Sequence, residues 1–250
     1  MPAAEPVAVV TGGAGGLGAA ICRGLAASGF AVVVGYRNSA AAAGALASSL
    51  PGAGHMALQA PVTDSSALQA MAAVISERYG RCDVLVNCAG ITRFVPHADL
   101  DALDDALIDD ILATNVRGSV AALRALLLLL RVSTHPGGAV VINISSIAAR
   151  TAMGSNIMYC ASKAALDSLT MSLARALAPA VRVVSVSPGL VDTEFVKSLD
   201  RRWRDEQAAR TPLGRLAAPE EVAAAVVAVI RDLKFTTGCV LAVDGGRPLS

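Results

Sequence analysis

Cysteine pairs, histidine pairs and long runs of like charge are all missing from this sequence. Cys22, Cys82, Cys88, Cys160 and Cys239 are odd in number, far apart and contain no CxxC. That pattern argues against disulfides and cysteine metal sites and suits reduced thiols in a cytoplasmic protein. His55, His97 and His135 each stand alone, with no second ligand at helical or hairpin spacing, so no metal is expected. A net charge of +1 gives no broad field to attract nucleic acid or anionic lipid, and the one basic cluster is Arg201, Arg202 and Arg204. Neither nucleic acid nor a membrane is an expected partner. No basic residue precedes the first apolar stretch, which runs straight into Thr11 to Gly18, so a secretory leader is not expected. The densest apolar run, Leu126 to Leu130 between Arg124 and Arg131, is far short of the roughly 20 residues that cross a bilayer.

What is plentiful is small apolar side chain. Hydrophobic residues make up 54% of the 250, evenly spread, with no linker that would divide them, so one domain over 1–250 is expected. Short β-branched runs alternate with longer helical patterns, the signature of βαβ units and a parallel sheet. The strands read as Val7 to Val10, Ala31 to Val34, His55 to Leu58, Val84 to Val86, Val140 to Ile144, Val181 to Val186 and Val240 to Val243. The helices read as about 16 to 28, 39 to 49, 65 to 79, 101 to 131, 156 to 178 and 219 to 231. AVVV, VLV and VVINI are continuous rather than alternating, as strands buried on both faces should be. The expected fold class is therefore α/β, a Rossmann-like doubly wound seven-stranded parallel sheet with helices on both faces. The polar, Arg-rich stretch from about 190 to 215 breaks the rhythm and reads as a lid.

Directly after the first strand come Thr11, Gly12, Gly13, Ala14, Gly15, Gly16, Leu17 and Gly18, and a helix follows at once. Glycines let the backbone approach a pyrophosphate, and the helix N-terminus aims amide donors and partial positive charge at it. With this TGxxxGxG spacing the sequence resembles the short-chain dehydrogenase/reductase family, in its compact single-domain branch. Further landmarks of that resemblance follow in order over nearly the whole chain: Asn87, Ala89 and Gly90; Asn115; Ser146, Tyr159 and Lys163; Pro188 and Gly189; Asp244, Gly245 and Gly246.

Tyr159 and Lys163 lie four apart, hence on one helix face, where an ammonium would lower the phenol from its usual value near 10. That pair supplies an acid for reduction or, run backwards, a base for oxidation. A half-buried aromatic beside a snorkelling lysine would give the same spacing. Ser146 ends the VVINIS strand, where a parallel sheet's carboxyl edge faces a ligand crevice. Ser145 should point the opposite way. Leu103, Leu107, Ile111 and Asn115 recur every four residues, so Asn115 is expected on an inward face.

The resemblance implies that Ser146 bonds a substrate carbonyl, Tyr159 transfers the proton, and Lys163 tunes Tyr159 and holds the nicotinamide ribose. It also implies that Asn115 anchors a relay water. The implied cofactor contacts are Gly12, Gly16, Leu17, Gly18, Arg37, Asn38, Val62, Asn87, Ala89, Gly90, Tyr159, Lys163, Pro188, Gly189, Val191 and Thr193. Gly35, Tyr36, Arg37, Asn38 and Ser39 at the end of the second strand contain no acid to repel a 2′-phosphate, and Arg37 can grip one. NADP(H) is therefore expected over NAD(H), although Gly15 stands where many NADP-preferring relatives carry a basic residue, and NAD(H) stays open. Pro61 replaces a common adenine-binding Asp, and Cys88 and Val184 replace common asparagines.

The likeness is greatest to 3-oxoacyl-carrier-protein reductases, which implies an NADP(H)-dependent reductase of a ketone or 3-oxoacyl thioester. Ala180 lacks the Arg that often helps dock acyl carrier protein, leaving that partner open. The lid arginines could instead meet an acidic substrate or form a solvated face. An NAD(P)-dependent alcohol or polyol dehydrogenase and a catalytically silent nucleotide sensor remain as alternatives. The long helices, with Leu123, Leu126, Leu127 and Leu130 in a stripe, point to a homotetramer.

Overall fold

The computed structural model describes residues 5–249, the side chain of Phe195 excepted. Seven strands, β1 (Val7–Thr11), β2 (Ala31–Tyr36), β3 (Met56–Gln59), β4 (Val84–Asn87), β5 (Ala139–Ile144), β6 (Val181–Pro188) and β7 (Val240–Val243), form one parallel sheet. Its order is β3-β2-β1-β4-β5-β6-β7. The order reverses between β1 and β4, and there an open parallel sheet leaves a crevice beyond its strand ends.

The helices are α1 (Gly16–Ala27), α2 (Ala40–Ser49), α3 (Ser65–Tyr79), α4 (Asp105–Leu112), α5 (Gly118–Arg131), α6 (Ala148–Thr151), α7 (Ile157–Leu177), α8 (Glu194–Lys197), α9 (Arg201–Ala209) and α10 (Pro219–Arg231). Side chains alternate across each strand, so the sheet carries two cores. Ala8, Val10, Val32, Val34 and Ile142 pack with Ile21, Leu25 and Val226 from α1 and α10. Val7, Val9, Val33, Leu85 and Val141 pack on the other face with Leu68, Ile75, Leu126 and Leu130 from α3 and α5. α1 and α10 approach closely because their contact is made of small residues: a Cβ at Gly24 would lie 3.5 Å from the Ala223 Cβ.

Several boundaries differ from the expected ones, each for a local reason. β3 starts at Met56 rather than His55, because the His55 ring Nδ1 accepts the Val32 N–H at 3.1 Å in place of a ladder bond. The helix expected from 101 begins at Asp105, where the Asp104 carboxylate accepts the Leu107 N–H at 2.8 Å and satisfies an orphan donor of the first turn. Leu103 stays buried although it precedes the helix. Between α4 and α5 the rod passes through one π turn, Ala113–Arg117. By length and composition alone the 27 residues Asp105–Arg131 could cross a membrane; here half of the apolar window is buried, and the rod packs on α3, α7 and the sheet. The stretch from 190 to 215 contains α8 and α9, and is tied at its base by a parallel bridge between Val191 and Ala217.

Candidate active site

The loop after β1 is built to admit something at its backbone. Gly12 has φ +64°, and a Cβ there would stand 2.9 Å from the Ala89 Cα; a Cβ at Gly18 would stand 2.3 Å from the Gly12 carbonyl oxygen. Only glycine allows both contacts. Above the loop lies a cleft of about 550 Å³. It is lined by Gly12, Gly16, Leu17 and Gly18, by Arg37 and Asn38 beyond β2, and by Val62, Ala89 and Gly90. Tyr36, Ser39, Pro61, Thr63, Cys88, Ile91 and Thr114 are among its other walls. The volume, the glycine floor and the N-terminus of α1 beneath it fit a dinucleotide with its pyrophosphate on the loop. Arg37 extends an exposed guanidinium at the rim, and its carbonyl accepts the Gln59 amide at 2.9 Å.

Not every expected contact faces the cleft. Asn87 is buried beneath it, donating to Asn143 Oδ1 at 2.9 Å and to the Ser119 carbonyl at 3.4 Å. Asn143 in turn donates to Thr170 at 2.8 Å, and Thr170 meets Ser185, so a buried polar layer supports the floor. Tyr159, Lys163, Pro188, Gly189, Val191 and Thr193 lie outside the lining of this cleft. Gly189 lets the Asp244 backbone approach to within 3.0 Å of where a Cβ would be, and Thr193 Cβ comes within 3.4 Å of the Cβ position at Gly16.

Ser146, Tyr159, Lys163 and Asn115 gather where β4 and β5 end. β5 stops at Ile144, so Ser145 and Ser146 sit on the exit turn rather than on the strand. They still diverge. Ser145 is buried against the Lys163 carbonyl at 3.5 Å, whereas the Ser146 hydroxyl accepts the Ala148 N–H at 3.2 Å and lies beside the Tyr159 phenol. Burial pushes the phenol above its usual value, and the Ser146 hydrogen bond pulls it partly back. The expected downward tuning by Lys163 is not among the effects on this phenol, which burial raises, Ser146 lowers and the neighbouring Cys160 raises. Lys163 Nζ stands 5.6 Å from the Tyr159 ring centroid and donates to the Ile144 carbonyl at 2.8 Å. Burial lowers its own pKa to about 8, opposed by the fields of Cys88 and Asp167. The Cys88 thiol, in the wall of the same cleft, is pushed up to about 11 by burial.

Asn115 is buried, as its four-residue recurrence implied, but its amide is occupied. Oδ1 accepts the Ile91 N–H at 2.8 Å, and Nδ2 donates to the Ile91 carbonyl and to Ser162 Oγ, both at 3.1 Å. A Cβ at Gly90 would stand 3.4 Å from Asn115 Oδ1 and 3.7 Å from Lys163 Nζ, so these two groups flank the Gly90 backbone.

Three supporting residues escaped the sequence. The Thr11 hydroxyl accepts both the Cys88 and Ala89 N–H groups, at 3.1 and 3.2 Å, and so fixes the exit from β4 against β1. Ser162 links Asn115 to the Tyr159 carbonyl. Asn156 caps α7. For Asn156 a signal existed, since an Asn three residues before a helical tyrosine is a good N-cap; Thr11 opens the TGxxxGxG stretch without its hydroxyl's partners being readable from it, and nothing local marks Ser162. In the lid, Arg201 and Arg202 pair with Asp205 and Glu206 on their own helix and are almost fully exposed, while Arg204 bonds Asp192 at 2.9 Å. Among the described residues no group of His, Cys, Asp or Glu could hold a metal.

The family described as enoyl-(acyl carrier protein) reductase matches residues 12–247. A Streptomyces violaceoruber protein named as a ketoacyl reductase of the granaticin polyketide synthase is 39% identical, over 98% of this chain and 96% of its own length. The cis-4-hydroxycyclohexanecarboxylate dehydrogenase of Sinomonas cyclohexanicum is 41% identical over 97% of this chain and 96% of its own length. A solved short-chain dehydrogenase/reductase from Brucella melitensis superposes with a TM-score of 0.88 at 31% identity, covering 97% of this chain and 96% of the other.

Proposed function

This chain belongs to the short-chain dehydrogenase/reductase family, oxidoreductases that use NAD(P)(H) on small molecules, and within it we propose that residues 1–250 form one catalytic domain that reduces a ketone or 3-oxoacyl thioester with NADP(H). The observation that carries this reading is the Tyr159 phenol, raised by burial and pulled back by Ser146, one helical turn from Lys163, whose Nζ stands 3.7 Å from where a Cβ on the cleft-lining Gly90 would be. When bound, the cofactor supplies the hydride at its nicotinamide ring. Gly12, Gly16, Leu17 and Gly18 would hold its pyrophosphate, and Arg37 its 2′-phosphate.

Each residue's part follows from its environment. Burial keeps the Tyr159 phenol protonated through neutral pH, so the proton is available for a carbonyl oxygen as negative charge builds there. The Ser146 hydroxyl, already within the phenol's hydrogen-bond reach, donates to that same oxygen. The Lys163 ammonium stabilises the phenolate left behind through its field, until solvent returns the proton. Phe94 (75% exposed) and Met153 (44% exposed) flank the α7 N-terminus, which supports a substrate with an apolar body. The solvated Arg201 and Arg202 do not favour an anionic one.

A second reading, oxidation of a cyclic alcohol or polyol, is supported by the likeness to the Sinomonas dehydrogenase, since the same groups operate in reverse. Leu123, Leu126 and Leu130 of the expected stripe are buried inside the chain, so we place the protein in the cytoplasm as a homotetramer joined through the outer faces of α5 and α7, which carry Leu128 (75% exposed) and Met171 (47% exposed). The deciding experiment follows nicotinamide absorbance across ketones, 3-oxoacyl thioesters and alcohols with both cofactors. Carbonyl reduction with NADPH is expected; turnover confined to alcohol oxidation would favour the second reading, and no turnover with any of them would overturn both.

A further inference from the structure

Tyr159 is held at both of its backbone polar groups, by two separate chains of hydrogen bonds that lead to the same loop. Its carbonyl accepts the Ser162 hydroxyl at 2.8 Å, and Ser162 receives an Asn115 amide proton; Asn115 also binds both polar groups of Ile91. Its N–H donates to Asn156 Oδ1 at 2.7 Å. Asn156, 1% exposed, spends its Nδ2 protons on the Arg93 carbonyl at 2.7 Å and on Thr92 Oγ1 at 3.3 Å. The loop 91–95 is thus pinned to the first turn of α7 at Ile91 through Asn115, and at Arg93 through Asn156. Val95 N–H adds a bond to the Ser155 carbonyl at 2.8 Å, and the Arg93 guanidinium bonds Asp104, the cap of α4, at 2.9 Å.

Capping α7 would need only the Asn156 oxygen. A serine gives an N-cap as good as asparagine, but its single short hydroxyl could not also reach Arg93 and Thr92. The two Nδ2 bonds therefore serve something other than the helix. Ile91 lines the cofactor cleft, so the loop they grip joins the cleft wall to the helix that carries the proton donor.

We propose that Asn156 is a positioning residue that fixes the distance between Tyr159 and the cofactor cleft, by strapping loop 91–95 to the first turn of α7. It touches neither substrate nor cofactor and acts through the Tyr159 backbone and the loop. The proposal rests on Tyr159 being the proton donor. Misplacement of a reacting group by about 1 Å can cost up to a hundredfold in rate, and loss of one of two anchors should cost less than that.

The test separates cap from strap. Asn156→Ser keeps a cap acceptor for the Tyr159 N–H and removes the strap; Thr92→Val removes one strap contact alone; Asn156→Ala removes both functions. Asn156→Ser is expected to keep its melting temperature and NADPH Kd close to those of the parent, yet to lose roughly tenfold in kcat with ethyl acetoacetate and NADPH. It should also displace the Tyr159 phenol titration, read at 295 nm as the difference from the matching Tyr159→Phe protein. Thr92→Val should move the same quantities in the same direction by less, and Asn156→Ala should in addition melt roughly 2 to 4 °C lower. A serine variant with parental kcat and an unmoved phenol titration would reduce Asn156 to a helix cap and overturn the proposal. If Tyr159→Phe turns over like the parent, the reading of Tyr159 falls instead. The phenol titration needs no substrate and still decides whether Asn156 positions that ring.

Discussion

Lys163 donates its ammonium to the Ile144 carbonyl at 2.8 Å while standing 5.6 Å from the centre of the Tyr159 ring, so its hydrogen bond goes to the backbone rather than to the phenol. Burial has brought its pKa to about 8, within reach of the working pH. Reductive kcat/KM is therefore expected to fall as pH rises through about 8 and the ammonium is lost. Stability should move the other way. Between about 8 and the ordinary lysine value of 10.5 the unfolded chain binds the extra proton, so unfolding free energy from this group rises with pH. Denaturant titrations at pH 8 and 10 on the parent and on Lys163→Met check the sign: the parent should gain relative to the variant. A parent that loses ground instead would contradict the burial account.

Tyr159→Phe removes the proton and keeps the ring, so turnover should fall about a hundredfold or more while cofactor affinity stays near that of the parent. Nicotinamide fluorescence gives the Kd and absorbance the rate. Retained turnover would reassign the proton donor.

Cofactor choice is expected to follow the rim beyond β2, where Arg37 lines the cleft and no acid stands among Tyr36, Arg37, Asn38 and Ser39. A charge-assisted hydrogen bond contributes about 1.5 to 3 kcal/mol, which corresponds to roughly ten- to a hundredfold in kcat/KM for NADPH over NADH. Tyr36→Asp with Arg37→Ala should shift preference toward NADH. Equal values in the parent would show that Arg37 does not read the phosphate.

Asp83 offers a contrast at the opposite edge of the sheet. Its fully buried carboxylate accepts the Val7 N–H at 2.7 Å and the Ser133 hydroxyl at 2.5 Å, and pairs with Arg81 at 3.1 Å. Asp83→Ala should cost about 3 kcal/mol, because it strands a buried backbone donor and removes the carboxylate partner of Arg81. Thermal melting should fall by several degrees while kcat per folded molecule holds. A drop in kcat with unchanged melting would mean that this edge is coupled to the site.

How legible all this was from sequence depended on range. Continuous runs such as AVVV and VVINI identify the five inner strands, which are buried on both faces, while the outer strands β3 and β7 are only partly buried. Ends were less legible: His55 takes a ladder donor from β2 across the fold, and the helix expected from 101 starts only after Asp104, which caps α4. Within the site, the four-residue recurrence gave the buried face of Asn115, but its partner Ile91 is 24 residues away and nothing in the spacing marks it. Tyr159 and Lys163 could be paired by helical period alone. That the phenol is governed first by its own burial and by Ser146 depends on how α7 meets the end of β5, which no linear pattern records.

The π turn at Ala113–Arg117 has a consequence for how this chain tolerates change in length. Each α-helical residue advances about 100° around the axis, so the wider turn resets the angular phase between the segment before it and the segment after. α4 can then face α7 while α5 faces α3 and the sheet, and Asn115 sits in the reset itself, aimed at Ile91. Deleting one residue here would relax the turn to ordinary α geometry without breaking the rod. It would also swing one half out of alignment with its neighbours, taking either Ile111 or Leu126 off its contact surface. A one-residue gap, harmless in most surface loops, would here act like a slipped gear tooth.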